Sequence, residues 1–333
     1  MATIYEVSKL AGVSLATVSR VMNNSGRVSP KTRKKVLSAM ESLNYQPNTI
    51  AQSLASKRSN CVGVLVSELH GPIFGALVSS IEEELRQAGK FTIFAVGHSD
   101  EAKEKEGINF LISRNCDALI LHLEAVTDDY LLEQKNSATP FVVVNRNVQG
   151  LEENCISLDN EQGGYEATRL LLELGHRDIA YISGPATWGD SIARLAGHKR
   201  ALAEFDINID EHLIIEGDYL VLGGNKAMKQ LFERGKQFSA VVCANDEMVV
   251  GAMDVIRERG LSIPGDISVV GYDNVRWAPF LSPKLTTVNN PIRDMGHMAA
   301  RWVLKNVYNQ DKLAIQTIFE PEMVVRESAA AVS

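Results

Sequence analysis

The chain has 333 residues, 45% of them apolar, which is enough to fill the cores of two or three domains. It contains no run of about 18 or more apolar residues and no basic-then-apolar leader, so neither a membrane span nor an export signal is expected. Four scattered cysteines (Cys61, Cys116, Cys155, Cys243) lack metal-ligand spacing and fit inert thiols in a reducing cytoplasm. The net charge of −7 conceals a split, because residues 1–60 carry nine Lys/Arg against two Asp/Glu while the remainder carries 25 against 39. A basic head suits a polyanionic partner, and an acidic body does not.

The first predicted elements are helical. Ile4, Val7, Leu10 and Ala11 recur at helical spacing, and the run stops at Gly12, which permits a tight turn. Ser14 is placed to cap a second helix from Leu15 to about Asn23. Val18 and Val21 or Met22 give it an inner side, leaving Leu15, Ala16, Thr17, Ser19 and Arg20 outside. Ser29-Pro30 then opens a third helix with Val36, Met40 and Leu43 inward. Three short helices with a glycine turn between the first two make a helix-turn-helix, although a three-helix module for protein contact has the same pattern. The small and polar start of the second helix can enter a DNA major groove, where Arg20 can address a guanine edge. Ser14, Thr17 and Ser19 suit phosphate oxygens.

Pro47-Asn48 ends the third helix, and residues 48–58 read as a short helix with little to bury on its own. Such a helix is marginal in water, so it is expected to order only against a partner. This divides the chain into a head (1–46), a joint (47–60) and a body (61–333).

Through the body, apolar strands alternate with amphipathic helices. Strands are expected at 61–69, 91–97, 117–123, 141–146 and 155–160, then at 178–185, 213–219, 240–246 and 267–274. The intervening helices are placed at 74–88, 101–113, 161–174, 191–205, 246–259 and 292–307. This is α/β architecture, and two successive sets predict two doubly wound parallel lobes with a ligand crevice beside the strand ends. Polar residues gather there: Asn145-Arg146, Asp159-Asn160, Asn245-Asp246 and Tyr272-Asp273-Asn274, with Arg194 at the start of a helix. Together with Phe74 as a stacking platform, they could serve the hydroxyls and the C–H face of a sugar. Asx residues at strand ends also act simply as helix caps. No P-loop, dinucleotide fingerprint, metal-spaced cluster or nucleophile elbow occurs, so neither an enzyme nor a cofactor is expected.

The run from Ala2-Thr3-Ile4 through Leu10-Ala11-Gly12-Val13-Ser14-Leu15-Ala16-Thr17-Val18-Ser19-Arg20-Val21-Met22-Asn23, continued by Tyr45-Gln46-Pro47-Asn48, resembles the signature of the lactose/galactose repressor family. Arg194-Leu195-Ala196-Gly197, the run Asn245 to Ala252, and Val270 to Asn274 are similar to effector-site motifs of that family and of ribose-type binding proteins. The resemblance implies a cytoplasmic, sugar-responsive transcription repressor: a helix-turn-helix headpiece, a hinge helix and a two-lobed periplasmic-binding-protein-like core. It implies base contacts from Leu15, Ala16 and Arg20, further DNA contacts from Ser14, Thr17, Ser19, Asn23 and Asn48, and a minor-groove wedge at Leu54. It assigns the effector to Phe74, Asn145, Arg146, Arg194, Tyr219, Asn245, Asp273 and Asn290, with Tyr219 where some members carry a stacking tryptophan. Ile73 replaces one of the paired aromatics of ribose-type proteins, so one-sided stacking is expected. Segments at 115–120 and 238–242 point toward galactose- and aryl-β-glucoside-type members. The chain lacks the C-terminal leucine-heptad helix of tetrameric members, so a homodimer on a two-fold symmetric double-stranded operator is expected. A transport-type sugar receptor fits the body alone. A ligand that strengthens DNA binding uses the same parts as one that weakens it.

Overall fold

The computed structural model describes residues 2–22, 26–45 and 58–332. The chain forms two compact units, Met1–Asn60 and Cys61–Ser333. The expected hinge helix, with Asn48 and Leu54, and the head residue Asn23 lie outside the described residues.

In the first unit, α1 (Ile4–Ala11), α2 (Leu15–Met22) and α3 (Pro30–Ser42) pack around Val7, Ala11, Val18, Val21, Val36 and Ala39. Thr3 and Glu6 start α1 with a reciprocal capping box, and Gly12 ends it at φ 63°, turning the chain into α2. Ser29 caps α3, whose first residue is Pro30. Ala39 occupies the centre of the core, while Met40 and Leu43, expected inside, pack at its edge.

The second unit follows a strand–helix rhythm: β1 (Cys61–Val66), α4 (Pro72–Gln87), β2 (Phe91–Val96), α5 (Glu101–Ser113), β3 (Ala118–Leu121), α6 (Asp128–Gln134), β4 (Phe141–Val144) and β5 (Cys155–Leu158). It continues with α7 (Asn160–Glu173), β6 (Ile179–Ser183), α8 (Gly189–Glu204), β7 (Ile214–Glu216), α9 (Val221–Glu233), β8 (Ala240–Cys243), α10 (Asp246–Glu258) and β9 (Ser268–Asp273). The last elements are β10 (Thr286–Asn289), α11 (Ile292–Asn306), β11 (Ile318–Phe319) and β12 (Glu322–Val324). One sheet has the order β11-β5-β4-β3-β1-β2 and the other β12-β10-β9-β8-β6-β7. All pairings are parallel except β10 with β12. Alternation along β1 shows why both faces are covered: Val62, Val64 and Val66 join one core with Leu77 and Ile81 of α4, while Leu65 joins another with Ile108 and Leu111 of α5. Among the described residues, no helix is long and apolar enough to cross a membrane.

The two lobes are not successive in sequence, which corrects the expectation from the strand pattern. The chain leaves the first lobe at Asp159, since α7 packs on the second sheet. It returns at Asn290-Pro291, because α11 packs on α4, β3, β4 and β5. After β11 it crosses a third time at Glu320-Pro321 to add β12 to the second sheet. Helix periodicity identified α11 but carries no information about which sheet it covers.

Close helix contact positions the later site. A Cβ built on Gly164 of α7 lies 2.0 Å from the Arg194 carbonyl oxygen of α8, and one on Gly197 lies 1.9 Å from the Glu161 carbonyl oxygen. These are backbone atoms and cannot rotate away. Gly164→Ala should therefore force α7 and α8 apart and destabilise the body by about 1–3 kcal/mol. Calorimetry of the full chain should show a lowered Tm, at ~2–4 °C per kcal/mol; an unchanged Tm would mean that the interface yields freely.

Candidate functional site

On the head, α2 presents Leu15, Ala16, Thr17, Ser19 and Arg20 on its outer side while Val18 and Val21 are buried. The Ser14 Oγ accepts the Thr17 backbone N–H at 3.2 Å and lies 2.9 Å from the Thr17 hydroxyl, so Ser14 is the cap of this helix as well as a candidate phosphate contact. Arg20 is exposed, and its aliphatic stem crosses Gly26, where an added Cβ would meet Arg20 Cδ at 3.5 Å.

In the body, a cavity of about 220 Å³ lies between the lobes. The first lobe contributes Glu68, Phe74, His122, Glu124 and Asn145; the second contributes Trp188, Asp190, Arg194, Tyr219, Asn245 and Asp273; Asn290 comes from the crossing segment after β10. Seven of the eight residues assigned by sequence meet here. Arg146 is the exception: its guanidinium donates to the Val126 carbonyl at 2.8 Å and to the Asp128 carboxylate, and it lines an adjoining cavity. The expectation of one-sided stacking also changes. Trp188 and Tyr219, with ring centroids 5.5 Å apart, supply aromatic surface from the lobe that does not carry Phe74.

Arg194 is the buried centre of the cavity wall, 3% exposed. Its Nε donates to Asn160 Oδ1 at 2.9 Å and its Nη1 to the Ala244 carbonyl at 2.7 Å, while the guanidinium lies 3.7 Å from the Tyr272 ring centre. Asp190 is 3.4 Å away, one helical turn back, and Asp273 is 3.9 Å away. Burial opposes the charge, but Tyr219, Asp190, Tyr272 and Asp273 together hold its pKa well above the ordinary value. Asn160, itself singled out in the sequence, accepts from both Arg194 and the Tyr272 hydroxyl, and so positions the arginine from behind.

Burial pushes the Asp273 carboxyl up to about 6, against the pull of Arg194 and a 3.1 Å hydrogen bond from Asn290 Nδ2. Glu124 is raised well above the carboxylate range by burial and by repulsion from Asp190 and Glu104. Its loop is held from beneath, since the Glu104 carboxylate accepts the backbone N–H groups of Glu124, Ala125 and Val126 at 2.8–3.2 Å. Burial drives His122 down to about 4, so this imidazole, edge-on to Phe74 at 5.3 Å, is neutral at pH 7. Asn245 caps α10 through Met248 N–H and donates to the Tyr219 carbonyl, combining the plain capping role with a place on the cavity wall. Three lining residues have left-handed backbone: Asn145 (φ 63°), Tyr219 (φ 65°) and Asp273 (φ 109°). Asparagine and aspartate tolerate positive φ better than other side chains, so local strain falls on Tyr219, whose side-chain type avoids it, and on Asp273, whose φ of 109° lies beyond the usual left-handed range. The Tyr219 hydroxyl and Asn290 Oδ1 are buried and have no hydrogen-bond partner.

Sequence reasoning missed Trp188, Asp190, Glu124 and Glu68. A signal existed for Asp190, which stands four residues before Arg194 and hence on the same helix face. Glu124 gave none, because its position depends on the buried Glu104 of another element.

Residues 3–48 match the family described as bacterial regulatory proteins, lacI family, and residues 168–329 match a periplasmic binding protein-like domain. The chain is 40% identical over 333 residues to the HTH-type transcriptional regulator GalR of Escherichia coli (strain K12), spanning 100% of this chain and 97% of that one. The chain belongs to the lacI family. A crystal structure of the lac repressor dimer bound to operator and the anti-inducer ONPF superposes with a TM-score of 0.88 at 31% identity, covering 99% of each chain. A complex of the transcriptional regulator CelR with cellobiose gives 0.72 at 33% identity, covering 99% of this chain and 100% of that one. As a member of the lacI family, the protein is a DNA-binding transcription regulator with a helix-turn-helix head and a two-lobed α/β core.

A pH dependence follows for this lacI-family core. The folded state raises the Asp273 pKa from 3.8 to about 6, so the fold holds that proton more tightly than the unfolded chain does. Between those values the folded form binds more protons, and this group's contribution to stability falls as pH rises, with the loss complete above pH 6. Asp273→Asn should stabilise the ligand-free protein at pH 7 by on the order of 2–3 kcal/mol, with the gain vanishing toward pH 4. Urea unfolding at a series of pH values measures this; a constant difference across that range would refute it.

Proposed function

We propose that this chain is a homodimeric repressor of sugar-utilisation genes that leaves a pseudo-palindromic operator when a neutral sugar of galactose or β-glucoside type enters the cleft. The observation that carries the ligand class is the charge of the cavity: its described lining holds six Asp/Glu side chains and one arginine. Carboxyl groups hydrogen-bond hydroxyls in either protonation state and those that are ionised repel anions, so a polyol is favoured over a phosphorylated sugar or an acid. Aromatic surface from Phe74, Trp188 and Tyr219 suits the C–H face of a sugar ring. The operator-bound lac repressor dimer supports the same reading for DNA and assembly, and the CelR–cellobiose complex supports a sugar as ligand.

The working parts are a head (1–46), a hinge (47–60) with Leu54 as minor-groove wedge, and an effector and dimerisation body (61–333). Arg20 reads a base, flanked by apolar Leu15 and Ala16 contacts, while Ser14, Thr17, Ser19, Asn23 and Asn48 set register. A ligand held by side chains from both lobes favours one lobe arrangement, and a difference of about 1–3 kcal/mol between arrangements suffices for regulation. The chain carries out no catalysis in this scheme and works in the cytoplasm.

Two measurements test the halves of the scheme. Arg20→Ala should weaken operator binding by about 1–3 kcal/mol and relax preference at one base position, as read by anisotropy titration against a panel of single-base operator variants; retained preference at every position would exclude the base-reading role. Asp273→Ala should bind operator normally without sugar yet fail to release it when sugar is added. Normal release by that variant would place the effector elsewhere, and tighter operator binding on adding sugar to the unaltered protein would reverse the sign of regulation.

A further inference from the structure

The cleft does not end at the inner chamber. A second cavity of about 620 Å³ adjoins it, nearly three times the 220 Å³ of the first. Glu124, Asn145 and Asp190 line both, so the two spaces share one polar wall. The consecutive residues Trp188 and Gly189 mark the threshold, Trp188 lining the inner chamber and Gly189 the outer one. A Cβ added at Gly189 would meet no atom within 4 Å, so the outer space is open at this point.

The outer chamber differs in chemistry from the inner one. None of its described lining residues is aromatic. Apart from the shared Glu124 and Asp190, its charged groups are already engaged: Arg146 with the Val126 carbonyl and Asp128, Glu161 with Arg200, and Asp159 as the cap of α7. Neutral hydrogen-bonding groups remain, chiefly Asn147 and Thr187 beside the shared Asn145. A flat aryl group would find no stacking partner there, and a phosphate no uncommitted cation.

We propose that the effector is a two-unit carbohydrate, with one ring in the inner chamber against Arg194 and the aromatic side chains and a second hydroxylated ring in the outer chamber beside Asn147 and Gly189. Glu124, Asn145 and Asp190 then contact hydroxyls on both sides of the glycosidic bond. This rests on the sugar-effector reading above and narrows it from monosaccharides and aryl glycosides to disaccharides.

The test is calorimetric titration of the full-length protein with galactose, glucose, lactose, cellobiose and an aryl β-glucoside, repeated on Gly189→Leu and Asn147→Ala. Unliganded operator binding serves as the check that each variant is folded. At least one disaccharide should bind about tenfold or more tightly than its component monosaccharides. Gly189→Leu, which puts a bulky side chain at the threshold of the outer chamber, and Asn147→Ala, which removes a polar contact, should each weaken that disaccharide several-fold or more and leave monosaccharide affinity unchanged. Monosaccharides binding as tightly as every disaccharide, or an aryl glucoside binding more tightly than all of them, overturns the two-unit proposal and leaves the sugar reading intact. Binding of no sugar of either length overturns the sugar reading itself.

Discussion

A guanidinium sealed from water has to be compensated on every side, and the core of this protein is arranged around that requirement at Arg194. Taking such a charge out of solvent is costly unless hydrogen bonds and opposite charge replace hydration. The Asn160 amide oxygen, the Ala244 carbonyl and the Tyr272 ring face hold the back of the group, while Asp190 and Asp273 hold the front. Each of these partners stands at the end of a strand or the start of a helix in the second lobe. The glycine contact between α7 and α8 makes the arrangement possible, because it brings the Arg194 backbone against the first turns of α7, where Asn160 begins the helix.

Compensation within one lobe has a consequence for regulation. Since Arg194 is satisfied by its own lobe, the second lobe keeps its half of the site whether or not the first lobe is close. The first lobe brings Phe74, His122, Glu124 and Asn145, whose surroundings are independently organised by Glu104 and the Phe74–His122 contact. Two preformed half-sites joined by three chain crossings are suited to closing as rigid bodies around a ligand. Glu124 from one lobe and Asp190 from the other line the same cavity, and burial together with Asp190 holds the Glu124 carboxyl well above its ordinary range. A ligand whose hydroxyls bridge these two carboxyl groups contacts both lobes at once and so favours the closed arrangement, which gives the differential affinity that a population shift requires.

The sequence revealed the parts of this machine that depend on local chemistry. Ser14 before a helix, Gly12 after one and Ser29-Pro30 opening a third are decisions made within a few residues, and the structure places each at the predicted cap. Seven of the eight assigned effector residues also meet in one chamber, because strand ends in a parallel sheet all open on the same edge. What remained hidden depends on long-range partners. The return of α11 to the first sheet is a matter of topology, and its amphipathic pattern would be the same over either sheet. The placement of Arg146 was hidden for the same reason: its neighbour Asn145 lines the inner chamber, but Asp128 and the Val126 carbonyl, some twenty residues earlier, hold the guanidinium on the wall of the adjoining cavity.

The strained and unsatisfied groups point the same way as the charges. Tyr219 holds left-handed backbone that side chains of its type avoid, and Asp273 a φ beyond the usual left-handed range, at a cost of roughly 1–3 kcal/mol each. The Tyr219 hydroxyl and Asn290 Oδ1 are buried without partners, and each such group carries a desolvation penalty of about 1–3 kcal/mol. Such features usually mark functional sites rather than the interior of a fold. Tyr219, Asp273 and Asn290 share one cavity, beside two carboxyls that burial holds above their ordinary pKa. The Tyr181 hydroxyl and His297 Nδ1, the other buried atoms without a hydrogen-bond partner among the described residues, do not line it. Backbone strain and unpaired buried polar groups cost folding stability with no return inside the fold. Their retention is explained if their missing partners are the hydroxyls of a ligand, because then the free energy withheld from folding reappears as binding and is available to shift the lobes.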